Sequence, residues 1–549
     1  MAILTFESGN ASILVTAFLT GVFLHVGIFR RGEWDPLATK LAATFGIGYV
    51  SLIVFQLFLT PKDTWNAVRS ASTLFFTFTS GIYSSMVVYR LAFHPLGKFP
   101  GPFLGRLSSL YGTVLILKKF QLYKEMQNLH DTYGDVVRIG PSELSVAIPG
   151  AFEVIHSNSS PCSKGPWYNL SLPMIPLLNA RNKADHTVKR KPWAQGFNSA
   201  ALRNYEHRVE HHTRLLMKKI DETAGQPLDV SLWCNFYAFD VMGDLAFGKS
   251  FNMLKDGVKH FFLELTHSST ILVTLFGKCS WCWLLIQSIP IITYQREKFL
   301  DWLRQQVKER AENEPELPDV LSWILSAFRE VEKPSKQHEL DLLGEANLIV
   351  VAGSDTTAAA MTCTLFELAC HPEVCRKLQL EIDGYFATHE TTDFSGLSRL
   401  EYLQAVIDEA FRLHPTVPSG LQRATPPEGL QIGDVFIPGH MIVQIPTYTT
   451  MRDDRRYVRP NDFVPERWTT KPDLVKNTSG FAPFSMGRYS CPGKQLALME
   501  IRHVISQIVN KYDVGFAAGQ TPEAFIDGKL DGFTLVCPKL DLVFKTRRL

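Results

Sequence analysis

The chain has 549 residues, 46% of them hydrophobic, which is enough for a large core and for more than one domain. A net charge of +2 excludes a surface built as a whole to bind nucleic acid. Nine cysteines without regular spacing weigh against a disulfide framework and fit a reducing compartment.

The first elements are apolar. Residues 11–29 and 41–60 carry no Asp, Glu, Lys or Arg, and each is long enough to cross a hydrocarbon core of about 30 Å as a helix. Residues 70–89 also lack these charges but hold eight Ser or Thr, so this segment either spans or lies along the interface. The expectation is a membrane anchor over residues 1–92 with up to three transmembrane helices. The tail before the first segment has no Lys or Arg. Arg30, Arg31 and Lys40 follow that segment, Lys62 and Arg69 the second, and Arg90, Lys98 and Arg106 the third. The positive-inside bias then favours a luminal N-terminus and a cytosolic bulk.

Next comes FHPLGKFPGP, residues 93–102, with three prolines and two glycines. It cannot be a helix interior and reads as a stiff connector or an ordinary loop. From residue 103 to 549 helical patterns dominate. LYKEMQNLHDTY, NYEHRVEHHTRLLMKKI, TYQREKFLDWLRQQVKERAEN and VCRKLQLEIDGYF are each apolar on one face. Short strands are expected at VVRIG, ELSVAI, LQIGDVFIP and DLVFK. This is a mainly α domain with small sheets. Residues 261–292 form one more apolar run, interrupted by Glu264 and Lys278 and expected to end at Pro290. It reads as two amphipathic elements with a loop dipping toward the membrane, as buried core, or as a fourth span.

Four stretches carry side chains that a helical core does not need. The helix EANLIVVAGSDTTAAAMTCTLFELA holds Asp355, Thr356 and Thr357 in apolar surroundings, where they are costly unless partnered or functional. Gly353 weakens that helix, and a Thr hydroxyl can open its ladder; a bent core helix is the plain reading. In EAFR, Glu409 and Arg412 share a face, as surface ion pairs often do. In HTVKR, His186 and Arg190 share a face, as in a solvated basic cluster. In FSMGRYSCPG, Cys491 sits between Gly487 and Gly493 just before a helix, whose positive end favours a thiolate. Taken alone, such a cysteine is more often a buried thiol.

The pattern F-x-x-G-x-x-x-C-x-G followed by a helix closely resembles the haem-binding loop of the cytochrome P-450 superfamily. AGSDTT resembles that family's oxygen-activating helix, and EAFR with Arg467 in FVPERW resembles its buried structural triad. HTVKR and Arg423 in GLQRATPP resemble its propionate-binding positions. The resemblance covers residues from about 93 to 549. It implies the cytochrome P-450 fold, with Cys491 as axial ligand to the iron of haem b. Phe484, Gly487 and Gly493 would shape the loop; His186, Arg190, Arg423 and Tyr489 would meet the propionates. Thr356 would hydrogen-bond dioxygen, Asp355 would relay protons, and Glu409, Arg412 and Arg467 would be structural. Tyr489 stands where the family often has a cation, so it brings one donor and no charge.

Function follows as an expectation. A haem-thiolate monooxygenase would take electrons from NADPH through a cytochrome P-450 reductase and insert one oxygen atom into a hydrophobic small molecule. Arg488 and Lys494 would help to dock the reductase. The substrate is expected to be a terpenoid-like or aromatic intermediate of fungal secondary metabolism. It would be lined by residues 166–178, 262–290, Asn347 to Ala352, Ser419 to Leu421 and Gly532 to Thr534. The expected setting is a multi-pass protein of the endoplasmic reticulum with no nucleic-acid partner. The rivals are a haem-thiolate isomerase or dehydratase that does not use dioxygen, and a non-enzymatic membrane haem protein.

Overall fold

In the computed structural model, residues 8–59, 63–389 and 393–547 are described. Helices dominate, and the strands are short: β1 (Val136–Gly140), β2 (Glu143–Val146), β3 (Ser163–Lys164), β4 (Pro227–Asp229), β5 (Gln422–Ala424), β6 (Leu430–Ile432), β7 (Val435–Ile437), β8 (Ile442–Gln444), β9 (Tyr512–Phe516), β10 (Leu530–Gly532), β11 (Thr534–Val536) and β12 (Asp541–Thr546). Each expected strand is found, with LQIGDVFIP folding into the β6–β7 hairpin. Two compact units are present. One comprises residues 1–113, 138–143 and 276–295; the other comprises 114–137, 144–275 and 296–549.

The first unit is built on three apolar helices, Ser8–Leu24, Ala38–Leu59 and Thr64–Val88. Residue 60, the expected end of the second span, lies outside the described residues. The first and third helices meet at glycines. A Cβ on Gly21 would sit 2.1 Å from the Phe78 carbonyl oxygen, and one on Gly81 would sit 2.1 Å from that of Phe18. Small residues are what allow backbones to approach this closely where water supplies no driving force. Tyr49 Oη and Ser72 Oγ, 2.8 Å apart, tie the second helix to the third. Four helices among the described residues are long and apolar enough to cross a membrane, the fourth being Lys336–Cys370. That one is 67% buried inside the protein and belongs to the second unit's core, whereas the first three are 0 to 17% buried.

The 93–102 stretch is held on both sides. His94 Nδ1 accepts from the Leu96 amide at 3.1 Å, and its Nε2 lies 3.1 Å from Ser142 Oγ. Burial, then Arg138 and Arg90, lower the His94 pKa to about 4, so the ring is neutral. The Arg138 amide donates to the Pro100 carbonyl at 2.7 Å. A Cβ on Gly101 would come within 2.3 Å of the Arg138 carbonyl oxygen, so only glycine fits this approach.

The second unit is centred on the Lys336–Cys370 helix, which starts at a Ser335–His338 capping box. The Val230–Phe247 helix lies along it. Gly353 faces Met242, whose sulfur would be 2.7 Å from an added Cβ. The helical assignment runs unbroken through AGSDTT. Gly353 therefore serves helix packing, and Thr356 Oγ donates back to the Ala352 carbonyl at 2.9 Å. The run 261–292 gives helices Phe261–Gly277 and Ser280–Gln287. Pro290 does not end the pattern but opens the Pro290–Glu312 helix. Its fixed φ suits a first turn, where no amide bond is lost.

The triad residues close together. Arg412 Nε and Nη2 donate to Glu409 at 3.0 and 2.9 Å, and Arg467 Nε donates to Glu409 Oε1 at 2.8 Å. Trp468 Nε1 and the Val464 amide add bonds to the same carboxylate at 2.9 and 3.0 Å. All three charged side chains are fully buried. A buried cluster is tolerable only when so completely satisfied.

Candidate active site

The loop before the Lys494–Lys511 helix is shaped by local constraints. Ser485 and Gly487 both have positive φ, 56° and 69°. A Cβ on Gly487 would lie 2.4 Å from the His156 carbonyl oxygen, so this position needs glycine. Gly493 does not need it for its backbone, because its φ is −82°. A Cβ there would meet Phe197 at 3.7 Å and Cys491 Sγ at 3.9 Å, so glycine leaves the sulfur's flank open. The permissive-backbone role expected of both glycines thus holds for Gly487 alone. The Cys491 amide donates to the Phe484 carbonyl at 2.9 Å. The Phe484 ring rests edge-on against Phe411, centroids 5.2 Å apart.

Cys491 is solvent-accessible, yet protein surrounds it densely, as on the wall of an internal cleft. Burial pushes its thiol pKa up. The Gly493 amide, Arg190 and the Lys494 amide pull it down, which are the interactions a thiolate needs.

Beside the loop lies a cluster of cations. Arg190 Nη1 donates to the Ser490 carbonyl at 2.6 Å. Arg423, fully buried on β5, donates to Tyr168 Oη at 3.1 Å. Its register partner across the sheet is Lys164 on β3. Lys164 Nζ donates to the Leu177 and Leu178 carbonyls at 2.8 and 2.7 Å. The Tyr489 ring stands among them, with Arg423 5.0 Å and Lys164 4.9 Å from its centroid, and His186 edge-on at 4.7 Å. Arg488 is outside this group, exposed and donating to Thr187 Oγ at 3.1 Å.

The cluster is short of counter-charge, with Glu345 as the acid that acts on Lys164. Among the described residues no carboxylate bonds Lys164, Arg190 or Arg423. Burial and then Arg423 lower the Lys164 pKa to about 7. Burial and then Lys164 and Arg190 lower that of His186 to about 3. The buried Tyr489 Oη, His186 Nδ1 and Arg423 Nε have no hydrogen-bond partner among the described residues. Buried donors do not normally stay unpaired, so this pocket fits a guest with two carboxylates near a soft metal. The residues present fit haem.

Asp355 and Thr356 lie on the long helix. Asp355 Oδ1 is buried without a hydrogen bond; His267 Nε2 is 3.5 Å away, close enough for an ion pair but without hydrogen-bond geometry.

A family model for cytochrome P450 matches residues 97–544. The chain belongs to the cytochrome P450 family. Curated relatives agree over nearly the whole length. Cytochrome P450 monooxygenase FCK2 of Fusarium pseudograminearum is 48% identical over 545 residues, covering 99% of this chain and 98% of that one. Cytochrome P450 monooxygenase phqL of Penicillium fellutanum is 36% identical over 544 residues, covering 98% and 96%. Tryprostatin B 6-hydroxylase of Aspergillus fumigatus is 35% identical over 547 residues, covering 97% and 96%. This P450 is therefore an oxidoreductase of the monooxygenase type. Its family uses haem iron, dioxygen, electrons from a reductase and hydrophobic substrates.

Sequence reasoning missed Lys164 and Tyr168 as part of the cationic cluster. A lone lysine in SKGPWYN carries no local signal. Only the β3–β5 pairing brings it beside Arg423.

Proposed function

We propose that this P450 is a haem-thiolate monooxygenase that inserts one oxygen atom of O2 into a hydrophobic small molecule. Residues 1–92 are the anchor, 93–102 the connector and 103–549 the haem domain. The setting is the endoplasmic reticulum membrane, multi-pass, with the haem domain in the cytosol and electrons arriving from NADPH through a cytochrome P450 reductase. The single observation that carries the reading is the Cys491 loop beside a cation cluster that no carboxylate bonds among the described residues.

Cys491 would be the axial iron ligand of haem b, flanked by Phe484, Gly487 and Gly493. Arg190, Arg423 and Lys164 would pair with the two propionates, and His186 and Tyr489 would each donate one hydrogen bond. When bound, the haem supplies the activation of dioxygen. The protein's own residues then orient substrate, exclude water and move protons. Thr356, whose hydroxyl proton is donated to the Ala352 carbonyl, would accept a hydrogen bond from the substrate side. Asp355 Oδ1, buried and without a hydrogen bond among the described residues, would hold and release a proton. Glu409, Arg412 and Arg467 brace the loop without touching substrate.

For the substrate we infer a terpenoid-like or aromatic intermediate of secondary metabolism, hydroxylated at carbon. The relative named as a hydroxylase of tryprostatin B supports the aromatic choice. The test is the CO difference spectrum of the reduced protein. The red-shifted thiolate band is expected in the wild type and absent in Cys491→Ala. A Cys491→Ala protein that kept the band would overturn the assignment.

A further inference from the structure

Asp355 and Thr356 are neighbours in sequence but serve different sides of their helix. Asp355, Ala359 and Thr362, spaced i, i+4, i+7, line a cavity of about 360 Å³. Thr356 is not part of its lining. The opposite wall comes from the Phe261–Gly277 helix through His267, Thr270 and Thr274. The volume holds several waters, and the hydroxyls and carboxylates supply the partners that such waters require. His267 stands between the two regimes. Its side chain is 41% exposed, that of Asp355 only 11%, and Nε2 is 3.5 Å from Oδ1.

A carboxylate that cycles protons inside a helical core needs a route to solvent and a donor matched to neutral pH. Histidine is the side chain whose ordinary titration range lies there. We propose that this cavity is the proton-entry route and that His267 hands protons to Asp355. The proposal rests on the monooxygenase reading above. The imidazolium gives its Nε2 proton to Asp355 Oδ1. The ring, now neutral and still protonated at Nδ1, is reprotonated at Nε2 by a proton carried from bulk solvent through the cavity water. Asp355 then releases the proton toward the substrate side and returns to carboxylate, so no net charge accumulates.

Other charges face the same cavity. Asp229, Asp531, Lys259 and Lys539 line it. Asp229 is capped by the Leu232 and Leu540 amides, Asp531 accepts from Ser419 Oγ, and Lys539 pairs with Asp541 at 2.7 Å. Asp355 is the acid within ion-pair reach of His267 among the described residues.

The test uses full-length holoprotein with its reductase. Product formed per NADPH is measured against pH, with the solvent isotope effect. In the wild type a single ionisation limb is expected in this profile. His267→Gln keeps a donor but cannot carry a proton. It is expected to abolish that limb and raise the solvent isotope effect about twofold, with the CO spectrum unchanged. Lys259→Met and Lys539→Met are expected to leave the limb in place. A crystal structure with ordered waters joining His267 to Asp355 would support the route, and a cavity filled by side chains would overturn it. If Asp355→Asn slows turnover while His267→Gln retains the limb, the role of His267 is overturned. If Asp355→Asn has no effect, the proton-relay reading beneath it is overturned as well.

Discussion

Tyr489 takes its meaning from its neighbours. Its ring lies 5.0 Å from Arg423 and 4.9 Å from Lys164 and stands edge-on to His186, while its hydroxyl has no partner among the described residues. The ring then matters more than the hydroxyl. Tyr489→Phe keeps the cation–π contacts and is expected to lower haem retention by no more than about twofold. Arg190→Ala removes a charge-assisted donor and is expected to lower it about tenfold. Lys164→Met should fall near Arg190→Ala. Haem content per protein after gel filtration checks the order, and the reverse order would show that the cations are not the propionate partners. Glu500 is a different kind of residue. It is 1% exposed and one carboxylate oxygen has no partner, so burial raises its pKa well above the usual range. Burial thus favours its neutral form. Glu500→Gln is expected to raise the melting temperature at neutral pH by about 1–3 °C.

At the scale of elements, single carboxylates join several segments. Glu409 joins the Glu401–Leu413 helix to the 463–468 loop. Glu409→Ala leaves two buried arginines uncompensated and is expected to cost about 3–5 kcal/mol. The measurement is thermal unfolding, with loss of folded protein the extreme outcome. Glu345 joins the long helix to the Lys183–Gly196 helix through Trp193 Nε1, 3.0 Å away, and to the Leu177 amide, also at 3.0 Å. Burial raises its pKa from 4.5 to about 7, against those bonds and Lys189. A folded pKa above the unfolded one means that the proton is held more tightly in the folded state. The resulting stability is complete below pH 4.5 and is lost as pH rises through about 7. Glu345→Gln is expected to flatten the fall in melting temperature across that window by about 1–3 °C.

For the whole molecule, the three N-terminal helices and the family domain make different demands on solvent. The helices Ser8–Leu24, Ala38–Leu59 and Thr64–Val88 keep apolar faces that no protein core covers, with Phe23 75%, Phe58 80% and Phe76 69% exposed. Surfaces of this kind need lipid. The full chain is expected to stay in the membrane pellet after alkaline carbonate washing and to leave it only with detergent. Recovery in the carbonate supernatant would count against spanning helices.

Much of this was legible in the chain itself. Hydropathy marked the N-terminal helices because lipid imposes a local rule on every residue of a span. The Cys491 loop and the AGSDTT helix were legible because tight turns and polar groups in apolar helices are costly and therefore conspicuous. The partner of Glu409 was legible through the family resemblance. Other features depended on pairings distant in sequence. Lys164 meets Arg423 across 259 residues, through the strand register between β3 and β5. His267 meets Asp355 only because two helices cross. What Gly353 and Gly493 make room for, Met242 and Phe197, was not legible for the same reason, since it lies on another element. The sequence by itself determined the family, the apolar N-terminal helices and the cysteine loop, because each is written in local patterns of polarity and turn chemistry. Which cations surround the loop, and which histidine faces the buried acid, only the tertiary structure decided, because charge clusters and cavities form between segments that no local pattern links.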